Sequence, residues 1–129
     1  MQSKRILFVD DEAALVSLTV RSLAKLGYRV TGLTDPRRAL ELFRGDPSAF
    51  DAVVTDLSMP AVSGFDLARE ICQLRPDLPL LLMSGFVSER DLHESIACGI
   101  REIIQKPFAI ETLAQKLEQL FQDVSGTQV

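Results

Sequence analysis

The sequence predicts an α/β fold: an open, doubly wound sheet of five parallel strands in the order 2-1-3-4-5, flanked by five helices. Five short apolar runs recur at fairly even intervals, and three of them are continuous rather than alternating, the pattern of strands buried on both faces. Helical periodicity fills the stretches between them. Because βαβ crossovers are almost always right-handed, such a chain winds helices onto both faces of one open sheet.

Ile6-Leu7-Phe8-Val9 is the first strand. In the helix that follows, Leu15, Leu18, Ser22 and Leu26 are expected to share the inward face, and Gly27 stands where helices commonly end at positive φ. Tyr28 to Leu33 is the second strand. Asp35-Pro36 opens the second helix, aspartate as cap and proline at the first helical position, with Ala39, Leu40 and Phe43 inward. Ala52-Val53-Val54 is the third strand.

The third helix runs from about Gly64 to Arg75 and is expected to bury Leu67, Ala68, Ile71 and Leu74, with Pro76 and Pro79 preventing its continuation. Leu80 to Met83 is the fourth strand. Ser88 and Asp91 form a capping-box pattern for the fourth helix, expected to bury Leu92 and Ile96 and to end near Gly99. Ile103-Ile104 is the fifth strand, and Ile110, Leu113, Leu117, Leu120 and Phe121 make one stripe of the fifth helix. We expect one domain over residues 1–123 and a loose polar tail over 124–129. For five strands, the order 2-1-3-4-5 is the flavodoxin-like arrangement.

At 129 residues the chain is long enough for one core and too short for two. Lys and Arg number 14 against 18 Asp and Glu, for a net charge of −4, and no window clusters basic residues, so direct nucleic-acid binding is not expected. The longest apolar run, Leu80 to Met83, falls far short of the roughly 20 residues that cross a bilayer. Lys4 and Arg5 precede a run that ends in carboxylates, unlike a signal peptide. A cytoplasmic chain with no membrane partner is therefore expected. Cys72 and Cys98 lack zinc or redox spacing and read as reduced thiols, with a disulfide between them left open.

The informative residues are polar and sit at the downstream ends of the apolar runs. Asp10 and Asp11 close the first, Asp56 the third and Ser84 the fourth, and Lys106 follows the fifth. In an open α/β sheet these carboxyl ends form the crevice where ligands bind. Singly, Asp10 or Asp56 reads as a cap or turn residue, Ser84 as a turn residue and Lys106 as a surface cation. Two adjacent acids need a reason that capping supplies for only one.

Three converging carboxylates repel, so either some are protonated or a cation neutralises them. An all-oxygen donor set suits Mg2+. Together the residues supply a nucleophilic oxygen, a cation site, a hydroxyl donor and a fixed ammonium, which phosphoryl transfer to a carboxylate requires.

In combination, Phe-Val-Asp10-Asp11, Thr55-Asp56-Leu-Ser58-Met-Pro60, Met-Ser84-Gly and Lys106-Pro107-Phe108 resemble the receiver domain of bacterial two-component response regulators, over about Lys4 to Phe121. The resemblance implies that Asp56 accepts a phosphoryl group from a phosphohistidine on a histidine kinase or histidine phosphotransfer protein. It implies Mg2+ or Mn2+ bound directly by Asp11 and Asp56, through water by Asp10, and by the backbone carbonyl of Ser58. Lys106 would pair first with Asp56 and then with the phosphoryl group, and Ser84 would donate its hydroxyl to that group. The chain would act on itself rather than as a turnover enzyme.

The same resemblance implies a cis peptide between Lys106 and Pro107, a loop after the acceptor marked by Pro60 and Gly64, and a homodimer through the fourth helix, fifth strand and fifth helix. Ser58 and Phe86 occupy positions that influence phosphoryl lifetime. One departure stands out: Ile103 replaces the family's Tyr or Phe three residues before the lysine. Phe86, Phe108 or a backbone shift would then transmit the signal.

Three other readings compete with this one. Haloacid-dehalogenase-like phosphohydrolases share an aspartyl-phosphate and magnesium but carry Asp-x-Asp, where this chain has Ser58 at the second acid's position. A flavodoxin-like FMN module needs a Ser-, Thr- and Gly-rich first loop, whereas Asp10-Asp11-Glu12 repels phosphate. A receiver-like docking module without phosphotransfer would not need Asp10, Asp11, Asp56, Ser84 and Lys106 together. Gly99 to Phe108 is also similar to receiver modules at the ends of hybrid histidine kinases, and no effector domain is expected after the fifth helix. A stand-alone regulator and a piece of a longer protein both stay open.

Overall fold

Each apolar run forms a strand: β1 (Arg5–Val9), β2 (Arg29–Leu33), β3 (Ala52–Asp56), β4 (Leu80–Ser84) and β5 (Glu102–Gln105). The helices between and after them are α1 (Ala13–Lys25), α2 (Pro36–Gly45), α3 (Gly64–Leu74), α4 (Glu89–Ala97) and α5 (Ile110–Gly126). This computed structural model describes residues 3–126. The five strands are parallel and lie in the order β2-β1-β3-β4-β5, the flavodoxin-like arrangement expected.

Register aligns the downstream strand ends. Val9 lies opposite both Leu33 and Thr55, Asp56 opposite Met83, and Ser84 opposite Gln105. Residues one step beyond β1 and β5, Asp10 and Lys106, therefore come to the same edge as Asp56 and Ser84.

Strand alternation splits the core in two. Leu7, Val53 and Leu82 meet Phe43 of α2 and Leu67 and Ile71 of α3 on one face. Ile6, Phe8, Val54 and Met83 meet Leu23 of α1 and Leu113, Leu117 and Leu120 of α5 on the other. Helices on both faces explain the continuous apolar runs Ile6–Val9, Ala52–Val54 and Leu80–Met83 within β1, β3 and β4.

Local chemistry sets the helix ends. The Asp35 carboxylate accepts from the Arg37 N–H at 2.9 Å, ahead of Pro36. Ser88 and Asp91 make the expected capping box, and Ser63 with Asp66 makes a second. After α1 and α4 the chain turns at Gly27 (φ +97°) and Gly99 (φ +82°), in the left-handed region.

Four expectations are corrected. In α1 the buried stripe is Val16, Thr19 and Leu23, while Leu18 and Leu26 face solvent. Both stripes have helical spacing, and β2 decides between them. A Cβ on Gly32 would lie 2.6 Å from methyls of both Val16 and Val20, so the absent side chain admits the valine face.

In α3, Leu74 is exposed. In α4, Leu92 (48 % exposed) and Ile96 (76 %) face outward, and Ser95 is buried instead. Ser95 tolerates burial because its hydroxyl donates to the Asp91 carbonyl at 2.7 Å. On the same side an ion pair from Glu94 to Arg69 of α3 orients the helix. Finally, α5 continues to Gly126, so residues 124–126 of the expected tail are helical, and 127–129 lie outside the described residues.

Candidate functional site: an acidic crevice at the sheet edge

β1 delivers Asp10 into complete burial, and the acid is anchored by its backbone and one oxygen. Its N–H donates to the Leu33 carbonyl at 3.1 Å, and Oδ1 accepts from the Glu12 N–H at 2.9 Å. The turn-residue reading of Asp10 is thus correct for one oxygen. The other, Oδ2, accepts no backbone N–H or hydroxyl among the described residues and faces the Lys106 ammonium instead. Asp11 follows in the exposed start of the loop.

β3 delivers Asp56, also buried, and the backbone around it is held from three sides. The Thr55 hydroxyl donates to the Asp56 carbonyl at 3.1 Å, the Leu57 N–H donates to Met83 O, and the Gly64 N–H donates to Leu57 O, each at 2.9 Å. Gly64 approaches so closely that a Cβ there would sit 2.3 Å from the Asp56 carbonyl oxygen. In sequence Gly64 read only as part of the loop leading to a helix, because a close approach leaves no periodic signal.

Asp10, Asp11 and Asp56 each place a carboxylate oxygen so that all three lie within 4.8 Å of one another. Lys106 enters from beyond β5, its N–H donating to Ser84 O at 2.8 Å and its bond to Pro107 cis, as expected. Its Nζ lies 2.6 Å from Asp10 Oδ2 and 3.3 Å from Asp56 Oδ1. The pairing with Asp56 implied by the resemblance is present, but Asp10 holds the ammonium more closely. That contact is a close ion pair with the wholly buried acid.

The electrostatics follow. Burial, then the Asp10 charge, push the Asp56 carboxyl above the ordinary range, Asp11 adds to the push, and Lys106 only partly opposes it. Burial pulls the Lys106 ammonium downward, but Asp10 and Asp56 outweigh it and raise it overall. Three acids against one lysine leave a local deficit of two positive charges. Three clustered carboxylate oxygens with one exposed side, opposed by a single ammonium, fit a small hard divalent cation.

The remaining candidates lie around this cluster. Ser84 is buried, and its hydroxyl donates to the Phe86 carbonyl at 2.7 Å, within its own loop. Phe86 is 76 % exposed. Ile103 is half-buried against the α2 and α3 side of the core. Ser58 is exposed in the loop after β3, where Ala61 takes φ +71°, a conformation rarely adopted without glycine. A groove of about 380 Å3 opens beside the lysine, lined by Glu12, Leu15, Lys106, Pro107 and Phe108.

With this geometry in hand, comparison with known proteins is specific. Residues 6–118 match the family described as the response regulator receiver domain. The chain is 31 % identical over 117 residues to the response regulator receiver protein CpdR of Brucella abortus, covering 91 % of this chain and 96 % of that one. It is 35 % identical over 116 residues to the response regulator MprA of Mycolicibacterium vanbaalenii, covering 90 % of this chain but only 49 % of that protein. Among solved structures, the response regulator TrrA of Thermotoga maritima, in complex with Mg(2+)-BeF, superposes with a TM-score of 0.80 at 30 % identity, covering 91 % of this chain and 98 % of that one. Five parallel strands in this order, the acidic crevice at their downstream edge and the family match over residues 6–118 lead to one conclusion: the chain belongs to the receiver domains of two-component response regulators.

Proposed function

We propose that the chain is a phosphorylation-dependent switch in which Asp56 accepts a phosphoryl group from a phosphohistidine of a histidine kinase or histidine phosphotransfer protein. The observation that carries this reading is the convergence of three carboxylates within 4.8 Å, with the Lys106 ammonium 3.3 Å from Asp56. In the step, an Asp56 carboxylate oxygen attacks phosphorus. The phosphorus–nitrogen bond breaks, and the donor histidine keeps the electron pair.

Asp10, Asp11, Asp56 and the Ser58 carbonyl would hold Mg2+ or Mn2+, which, when bound, neutralises charge on the carboxylates and the phosphoryl oxygens. The Mg(2+)-BeF complex of the Thermotoga relative supports this choice. Burial keeps Asp56 short of water, Lys106 supplies a fixed positive charge to the incoming phosphoryl oxygens, and the groove over Leu15, Pro107 and Phe108 leaves the approach open.

The switch is a competition for one hydroxyl. Ser84 now donates to Phe86 O, and a phosphoryl group on Asp56 offers a charged acceptor instead, about twice as strong. Redirecting the hydroxyl frees the Phe86 loop at the head of α4. Because position 103 is isoleucine, the signal passes through that loop rather than through an inward-turning aromatic. The exposed Leu92 and Ile96 support a homodimer through α4, β5 and α5.

The chain modifies itself rather than turning over a substrate, and a cytoplasmic setting with a kinase partner fits that role. The test is intact-mass spectrometry after incubation with acetyl phosphate and Mg2+, with and without EDTA. A gain of about 80 Da with Mg2+ and none with EDTA is expected, and incorporation unaffected by EDTA would reject the cation's role.

A further inference from the structure

Cys72 of α3 and Cys98, the residue that ends α4, are the chain's two cysteines, and both are free thiols. The two helices link parallel strands and contribute to the same core cluster, so they run side by side in the same direction. An ion pair from Arg69 to Glu94 marks their facing sides. Cys72 stands three residues after Arg69 and Cys98 four after Glu94, the spacings that return a residue to the same side of a helix one turn on. The two cysteines are thus the next pair along the α3–α4 seam.

Both side chains turn into that seam. Cys98 is 1 % exposed, and its Sγ lies 3.8 Å from Glu94 Oε1, the oxygen that pairs with Arg69. Cys72, half-buried, packs against the cluster that contains Cys98. A Cβ on Gly99, the residue after Cys98, would lie 2.6 Å from Cys72 Sγ and 3.3 Å from Cys72 Cβ. Allowing about 1.5 Å for the Cα–Cβ bond, the Gly99 Cα is within about 4.1 Å of that sulfur, an approach that only a missing side chain admits. Two thiols serving as small core fillers would both be buried. Here one is sealed and the other opens to solvent, the arrangement in which an oxidant reaches one sulfur and the second resolves it.

We propose that Cys72 and Cys98 are a redox pair that a hydroperoxide closes into a disulfide, clamping the end of α4 to α3. With hydrogen peroxide, the Cys72 sulfur attacks one oxygen, the O–O bond breaks, and a sulfenic acid and water form. The Cys98 sulfur then attacks the Cys72 sulfur, the S–S bond forms, and the S–O bond breaks. The hydroxide leaves with the Cys98 proton as water, so each closure reduces one peroxide and oxidises two thiols. Both cysteines stand where helices lead into β4 and β5, at the sheet end away from the acidic crevice, so the clamp acts on α4 rather than on Asp56. It would oppose release of the Phe86 loop at the head of α4, a consequence that rests on the proposed switch, whereas the disulfide does not.

The test treats the full chain with hydrogen peroxide in EDTA, quenches with catalase, blocks remaining thiols with N-ethylmaleimide, and reads intact mass and non-reducing peptide maps. A loss of about 2 Da (two hydrogens), no maleimide, one peptide joining Cys72 to Cys98 and reversal by dithiothreitol are expected. Cys98→Ala, which keeps a small apolar residue in the core, should instead accumulate a Cys72 sulfenic acid that dimedone traps, because no second thiol resolves it. The closed form should melt roughly 5–10 °C above the reduced form and exchange the amide hydrogens of α4 more slowly. None of these readouts involves phosphoryl transfer, so failure here is separate from failure of the switch. Two free thiols after peroxide, a cross-link only between chains, or equal dimedone capture in the native chain and Cys98→Ala would overturn the pair. A disulfide that leaves both melting and α4 exchange unchanged would overturn the clamp.

Discussion

Lys106 stands closer to Asp10 than to Asp56, with its Nζ 2.6 Å from Asp10 Oδ2 and 3.3 Å from Asp56 Oδ1. The lysine therefore chiefly compensates the wholly buried acid. Asp56, the proposed nucleophile, is left with a carboxyl pushed above the ordinary range by burial and by Asp10. On the proposed reading, an acceptor only partly compensated by Lys106, beside a cation site, would tie phosphorylation to the metal.

Removing the lysine should therefore do more than slow chemistry. Lys106→Met leaves Asp10 buried with no cation, which we expect to cost about 3 kcal/mol of stability at neutral pH in EDTA. Urea unfolding measures it. The loss should shrink on acidification and on adding Mg2+; a loss below about 0.5 kcal/mol would show that the ion pair is not what stabilises Asp10.

The raised Asp56 carboxyl makes a pH prediction with a definite sign. The folded chain holds this proton more tightly than the unfolded chain does, so the contribution favours folding at low pH. It is lost as pH rises from the ordinary carboxylate range through the raised value, and stays lost at neutrality. Asp56→Asn should thus raise the melting temperature by a few degrees at pH 7 in EDTA and leave it nearly unchanged near about pH 4. With Mg2+ the order should reverse.

Gly64 tests how tightly the acceptor is positioned. A Cβ there would lie 2.3 Å from Asp56 O and 2.9 Å from Leu57 Cα, both backbone atoms that cannot swing aside. Gly64→Ala should cost about 2 kcal/mol and slow phosphoryl incorporation roughly tenfold or more. Equal rates for variant and native chain would mean that the loop absorbs the shift.

Ala61 should respond in the opposite way. It holds φ +71° in the same loop, strain that glycine would relieve. Set against glycine's greater unfolded-state entropy, Ala61→Gly should gain about 0.5 kcal/mol by thermal or urea unfolding. A loss would place the strain elsewhere.

What was legible in the sequence is what depends on periodicity and on chain ends. β1, β3 and β4 are apolar on both faces because helices cover both, and the acids follow the strands because the loops begin there. What was not legible is what depends on choice between faces. Helix α1 carries two apolar stripes, and only the bare Cα of Gly32 against Val16 and Val20 selects one. In α4, Leu92 and Ile96 read as core, but Ser95 can satisfy its own hydroxyl and be buried instead.

The acceptor site divides in the same way. Residue types and positions at strand ends named Asp10, Asp11, Asp56, Ser84 and Lys106, whereas distances did not follow from them. The closer pairing of Lys106 with Asp10 reflects complete burial of that acid, which adjacency in Asp10-Asp11 does not reveal. The role of Gly64 likewise depends on a contact between a helix start and a strand end.

The most direct measurement traps the acyl phosphate in place. After reaction with a phosphorylated histidine phosphotransfer protein and Mg2+, borohydride reduction converts a phosphoaspartate to homoserine, which peptide mass spectrometry locates. The account predicts homoserine at position 56 alone; homoserine at position 10 or 11, or an unmodified Asp56 beside a dephosphorylated donor, would contradict it.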